Sequence, residues 1–233
     1  NSIVSVNGGL LSGEAWEGTR WNQTGGVIGN LELTSAHFTM TGGSTLNKID
    51  AWSGSTVEIT GGETVGVGIG EDSTVVVDGG NHAGFSMTSG GAGRINAGRH
   101  HQVSVRSDSS AELHGGNLGV ATNNAGGSNT STPSIGVTRG HLKIFGGALG
   151  DELHNNLGVV EFYGADFQVE GQPVAGLNQP GDMVEVSLAG DGLFSGVLSD
   201  GTPFAYQGPD RGRHVLGDGT YRLIFMPPAP PVD

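Results

Sequence analysis

Gly54-Ser55-Thr56-Val57-Glu58-Ile59-Thr60-Gly61-Gly62 is the stretch that decides the fold. Val57 and Ile59 alternate with the polar residues Thr56, Glu58 and Thr60, the two-residue period of a strand with one face buried. The closing glycine pair returns along the chain. It stands at Gly8-Gly9, Gly25-Gly26, Gly42-Gly43, Gly79-Gly80, Gly115-Gly116 and Gly146-Gly147, and in weakened form at Ala97-Gly98 and Gly164-Ala165. Taken in order, the steps are 17, 17, 19, 18, 18, 18, 31 and 18 residues. A fixed period in this range marks a solenoid.

The positions four and two residues before each corner carry the apolar signal. They read Val4 and Val6, Trp21 and Gln23, Phe38 and Met40, Val75 and Val77, Gly93 and Ile95, Ala111 and Leu113, Leu142 and Ile144, Val160 and Phe162. A second apolar set follows the glycines, with Leu31 and Leu33, Val67 and Ile69, Phe85 and Met87, Val103 and Val105. Each coil therefore supplies two or three brief strands. Stacking pairs them in parallel and fuses their apolar columns into one narrow core. The expectation is an all-β, single-stranded parallel β-helix of about nine coils over residues 1–175. At about 4.8 Å per rung this is a rod roughly 40 Å long. The right-handed form is favoured, because the strict six-residue repeat of the left-handed class is not visible. Glycine serves the corner because it takes φ > 0 without a Cβ clash.

The period breaks after Gln172-Pro173. Residues 176–226 alternate differently, from Met183 to Leu188, Leu193 to Leu198, Phe204 to Tyr206 and Tyr221 to Phe225, with Asp191-Gly192, Asp200-Gly201 and Asp218-Gly219 as tight turns. This segment is expected to form a small antiparallel cap over the open end of the rod. Residues 227–233 are proline-rich and read as an extended linker. The 31-residue step marks a polar insertion, expected between Asn117 and Gly140.

Composition excludes several classes. The chain has 233 residues and 45 glycines without the third-residue period of collagen. Its net charge is −13, and Lys48 and Lys143 are its only lysines, so nucleic acid is excluded as a partner for want of a basic face. Cysteine is absent, which rules out disulfides and thiolate metal sites. No apolar run approaches the length of a membrane-spanning helix. Gly66, Gly68 and Gly70 lack the strand-then-helix context of a nucleotide loop. No cofactor is expected: an acidic chain tolerates calcium, but no calcium motif is present. The segment starts at Asn1 without methionine and reads as a mature or excised piece, a monomer or part of a longer chain.

The repeat Gly54–Gly62 resembles the β-helical repeats of large secreted proteins of planctomycetes and related bacteria. The tail Gly190-Asp191-Gly192-Leu193-Phe194-Ser195-Gly196-Val197-Leu198-Ser199-Asp200-Gly201-Thr202-Pro203-Phe204 resembles the segment that closes those arrays. A looser similarity is to the pectin-lyase-like β-helices. The resemblance implies a secreted or cell-surface location and, through the looser similarity, action on acidic polysaccharides. It transfers no catalytic residue.

Candidate chemistry lies on the outward columns. Three positions before the corner the column reads Ser5, Asn22, Thr39, Glu58, Val76, Arg94, Glu112, Lys143, Glu161. One position before, it reads Asn7, Thr24, Thr41, Thr60, Asp78, Asn96, His114, Phe145, Tyr163. Its second half gathers charge, imidazole and aromatic rings. The plainest reading is an exposed charge ladder worth at most about 1 kcal/mol per pair. A saccharide groove is the sharper one, with Arg94, Asn96, Glu112, Phe145 and Glu161 meeting an extracellular polysaccharide. A lyase version assigns Lys143 or Arg94 to uronate neutralisation and His114 or Tyr163 to proton abstraction. A hydrolase version pairs Glu112 with Glu161, and Lys143 between them makes it poorer. Arg94, Arg99, His100, His101 and Arg106 form a basic island in sequence, read as a solvated corner or an anion patch. The leading function is an extracellular rigid module, adhesin-like and carbohydrate-binding in its fuller form. The alternative is a polysaccharide lyase on uronic-acid glycans.

Overall fold

The computed structural model of the chain describes residues 2–118, 134–150, 152–188, 193–206, 214–216 and 218–228. Alternation of apolar and polar residues makes strands everywhere, and no helix occurs among the described residues. One ladder climbs along the glycine corner. Its rungs are β1 (Ile3–Val6), β3 (Arg20–Gln23), β5 (His37–Met40), β8 (Thr56–Ile59), the first part of β11 (Thr74–Met87), the first part of β12 (Ala92–Arg106), β13 (Ser110–Leu113), β16 (His141–Ile144) and β18 (Val159–Val169). Neighbouring rungs pair in parallel, with Val4, Trp21, Phe38, Val57, Val75, Gly93, Ala111, Leu142 and Val160 in one column. Nine rungs enclose about eight turns.

A second ladder runs through β2 (Leu10–Ala15), β4 (Val27–Thr34), β7 (Lys48–Trp52), β10 (Gly66–Ile69), the later parts of β11 and β12, β15 (Ser134–Thr138) and β17 (Glu152–Asn156). Short strands β6 (Ser44–Thr45), β9 (Glu63–Thr64) and β14 (Asn117–Leu118) carry the pairing across the corner. The register is the expected one. Val57, Ile59, Val75, Val77 and Ile144 are buried in the core, and Glu58 is exposed. The insertion is narrower than expected. Asn117–Leu118 and Ser134–Thr138 are regular rungs paired with β12, because their apolar residues Leu118, Ile135 and Val137 fill the core columns. The polar stretch 123–133 lies outside the described residues.

Two features of the interior escape the apolar pattern. The residue two places after the second glycine also points inward, which buries Thr45, Thr64, His82 and His100 in one column. The second corner is built on non-glycine residues with positive φ, namely Ser35, Ser53, Glu71, Ser89, Ser107, Arg139 and Leu157. Such a conformation is uncommon for a residue with a Cβ. Buried serines hold it: Ser55 Oγ donates to the Trp52 carbonyl at 2.7 Å, and Ser109 Oγ to that of Met87 at 2.9 Å.

The tail closes the far end. β21 (Phe194–Leu198) pairs antiparallel with β18 and with β22 (Pro203–Tyr206), and β18 also pairs antiparallel with β19 (Gln172–Pro173). Phe194 and Phe204 then pack on Phe162 of the last coil, at ring-centroid distances of 4.9 and 5.3 Å. The tail also extends the solenoid itself. β23 (His214–Leu216) adds a parallel rung to β17, and β24 (Thr220–Phe225) adds one to β18. β20 (Met183–Val186) finally pairs antiparallel with β24 and covers its edge.

Candidate functional site

The outward face of the glycine-corner ladder brings most of the candidate residues together. Parallel pairing sets Arg94, Glu112, Lys143 and Glu161 in consecutive rungs. The tail adds Arg222 as a fifth charge, opposite Glu161. The signs alternate along the rod, and partners meet across rungs. Lys143 Nζ lies 3.5 Å from Glu112 Oε1, and Arg222 lies 3.5 Å from Glu161.

The second column is a stack of rings. His114 lies on Phe145 at 4.5 Å with planes 4° apart, and Phe145 on Tyr163 at 4.1 Å with planes 20° apart. Rungs about 4.8 Å apart permit this spacing, so each ring covers the next. The inner ring faces are therefore occupied by neighbouring rings, and Phe145 is covered on both sides.

The two columns are tied to each other within each rung. His114 Nε2 lies 3.2 Å from Glu112 Oε2, and the Tyr163 hydroxyl donates to Glu161 Oε2 at 2.8 Å. Glu161, only 11% exposed, also lies 3.2 Å from His141 Nε2. The hydrogen bond from His114 holds the Glu112 carboxyl below its ordinary value; partial desolvation opposes this and Lys143 supports it. Burial first, and then the Glu161 carboxylate, push the Tyr163 phenol up to about 12. The Glu112 direction follows from neighbours on the same face, and that of Tyr163 from burial with the Glu161 charge added.

Arg94 and Asn96 lie one rung nearer the start and bond elsewhere. Arg94 Nε donates to Asn96 Oδ1 at 3.0 Å, and Asn96 Nδ2 donates to Asp78 Oδ1 at 2.7 Å. The basic island does not assemble. Its coil wraps the rod, so Arg94 faces out beside the corner, His100 is buried in the core, and Arg106 reaches Ser104 on the other ladder at 2.8 Å. Trp21 lies in the core, whereas Trp16 is 62% exposed. Among the described residues no three His, Asp or Glu side chains converge as metal ligands. No helix there is long and apolar enough to cross a membrane.

The buried polar column was missed by the sequence reading. His82 Nε2 donates to the Gly79 carbonyl at 2.8 Å, which leaves Nδ1 to accept from Thr64 Oγ1 at 2.9 Å. His100 stacks on His82 at 5.2 Å and donates to the Ala97 carbonyl at 3.1 Å. The signal was available in the column itself, whose equivalent positions in other coils are the buried apolar residues Ile28 and Leu118.

The chain matches no family model, no curated protein and no solved structure.

Proposed function

We propose that this chain is a rigid extracellular β-solenoid module of a surface or adhesin-like protein, and that it works without catalysis. The observation that carries the reading is the self-satisfied face. Glu112, His114, Lys143, Glu161, Tyr163 and Arg222 bond or pair with one another from rung to rung. Such ladders stiffen a rod whose stability comes from nearest-neighbour stacking. A lyase needs a base that titrates near the working pH. Tyr163, pushed up to about 12 and donating to Glu161, is held away from that role. Lys143 already faces Glu112, which competes with a substrate carboxylate for its charge. A general acid at Glu112 is disfavoured by the same neighbours, which hold the carboxyl ionised.

Acidic-glycan binding is the second reading. Lys143 and Arg222 each keep 35% of the side chain exposed, two rungs apart on one face. Retention of the protein on immobilised uronic-acid, sulfated and neutral polysaccharides tests both readings. Retention on acidic polymers that is lost in Lys143→Ala and Arg222→Ala selects binding. Retention on none of them leaves the rigid module.

A further inference from the structure

The first glycine of each corner is dictated by the coil before it. A Cβ on Gly25, Gly42, Gly61, Gly79, Gly115 or Gly146 would lie 2.5–2.8 Å from a main-chain carbonyl oxygen of the preceding coil. None of the six has positive φ, so it is this close approach, and not backbone conformation, that excludes a side chain. The exception supports the rule. Ala97 holds this position in its coil, and there the ladder slips, with a register shift between Val77 and Asp78.

Gly8 holds the same position in the first coil. Nothing lies within 4 Å of a Cβ built there, and its φ is not positive. No neighbour among the described residues requires glycine at this place. The same coil is open on one side. Among the described residues β1 pairs with β3 and β2 with β4, and each offers its other edge. Ile3, Leu10 and Trp16 are 69%, 67% and 62% exposed. Leu11 stands in the column of the buried Ile28 yet keeps 37% exposure.

We propose that the first coil is the docking platform for a further β-coil of this repeat type, stacked on it in parallel as each coil stacks on the one before. A main-chain carbonyl of that coil would sit over Gly8, and its inward apolar residues would cover Val4 and Leu11. Main-chain pairing along an open edge supplies the attachment, and the apolar column supplies the register. A second copy of this chain does not fit. In its glycine-corner ladder the last rung, β24, is covered on its outer edge by the antiparallel β20, so that ladder offers β1 no parallel rung. Two copies meeting at their first coils would pair antiparallel, which does not reproduce the approach that requires glycine. The inference is independent of the extracellular reading.

The test compares the chain as it stands with one in which a copy of residues 56–73 replaces Asn1 and Ser2, each with and without Gly8→Ala. In the extended chain the amides of residues 3–6 and 10–15 should gain hydrogen-exchange protection, and the thermal midpoint should rise by about 2–4 °C or more. Gly8→Ala should leave the original midpoint unchanged and lower the extended one, while Gly25→Ala should lower both. An equal effect of Gly8→Ala in the two chains would overturn the proposal, as would an extension that aggregates or adds no protection. A concentration-dependent dimer of the original chain that protects the same amides would assign the platform to a second copy, and would also overturn it.

Discussion

Asp200 Oδ2 accepts the main-chain N–H of Gly147 at 2.7 Å, so the turn of the closing hairpin grips a glycine corner of the solenoid. Its other oxygen accepts from the Thr202 amide at 2.8 Å, which holds the turn itself in shape. One carboxylate thus joins the cap to the rod, and Ser199 adds a bond to the Phe145 carbonyl at 2.8 Å.

Asp200→Ala should therefore loosen the cap. Hydrogen bonds to a charged acceptor contribute about 1–3 kcal/mol each, and the loss should fall at the lower end because Asp200 is exposed. Urea unfolding measures the stability, and hydrogen exchange at β21 and β22 should show the loss concentrated there. An unchanged midpoint with unchanged exchange would show that the apolar packing of Phe194 and Phe204 holds the cap alone.

Glycines pressed by the preceding coil should differ from glycines that are not. Gly61→Ala brings a Cβ within 2.8 Å of the Thr41 carbonyl oxygen and should cost about 1–3 kcal/mol through overpacking. Gly136→Ala, with nothing within 4 Å, should change stability by less than about 1 kcal/mol. Thermal melts of the two variants check this, and equal losses would contradict the stacking explanation of the glycines.

The buried imidazoles should make the rod acid-sensitive. Burial lowers the His82 and His100 pKa values, that of His100 to about 4 from an ordinary 6.5. The unfolded chain then takes up protons that the folded chain refuses. Stability should fall as pH drops through the window from about 6.5 to about 4, by roughly 1 kcal/mol per pH unit for His100. Denaturant midpoints recorded across that window should flatten in His100→Leu relative to the parent chain. A slope unchanged by the substitution would place the acid response elsewhere.

Much of this was legible in the sequence, for a physical reason. Stacking forces equal residues into columns, so the glycine period and the alternation at Val57 and Ile59 fixed coil number, register and core together. The same columns predicted that His114, Phe145 and Tyr163 would be neighbours. The sequence did not reveal how those neighbours use one another: period two does not say that rings will lie face to face or that Glu112 will be shared by His114 and Lys143. Arg222 was invisible because the Asp-Gly turns suggested a purely antiparallel tail, whereas β24 returns as a parallel rung. The serine-held corner was missed because positive φ is no property of serine: Ser35, Ser53, Ser89 and Ser107 adopt it there alongside Glu71, Arg139 and Leu157, and no glycine period marks the place.

Single substitutions on the outward ladder should act on stability alone. Lys143→Ala and Tyr163→Phe each remove one partially exposed partner, and each should shift unfolding free energy by no more than about 1 kcal/mol. Chemical denaturation measures the shift. A loss several times larger would mean that the ladder is a principal source of stability rather than a stiffening trim.

The most direct test of the account is prolonged incubation of the purified chain with uronic-acid polymers, following unsaturated ends by absorbance and chain length by size-exclusion chromatography. The non-catalytic reading predicts neither new absorbance nor shortening at any pH at which the fold persists. Release of unsaturated product by the parent chain, abolished in His114→Ala or Tyr163→Phe with the fold intact, would contradict it.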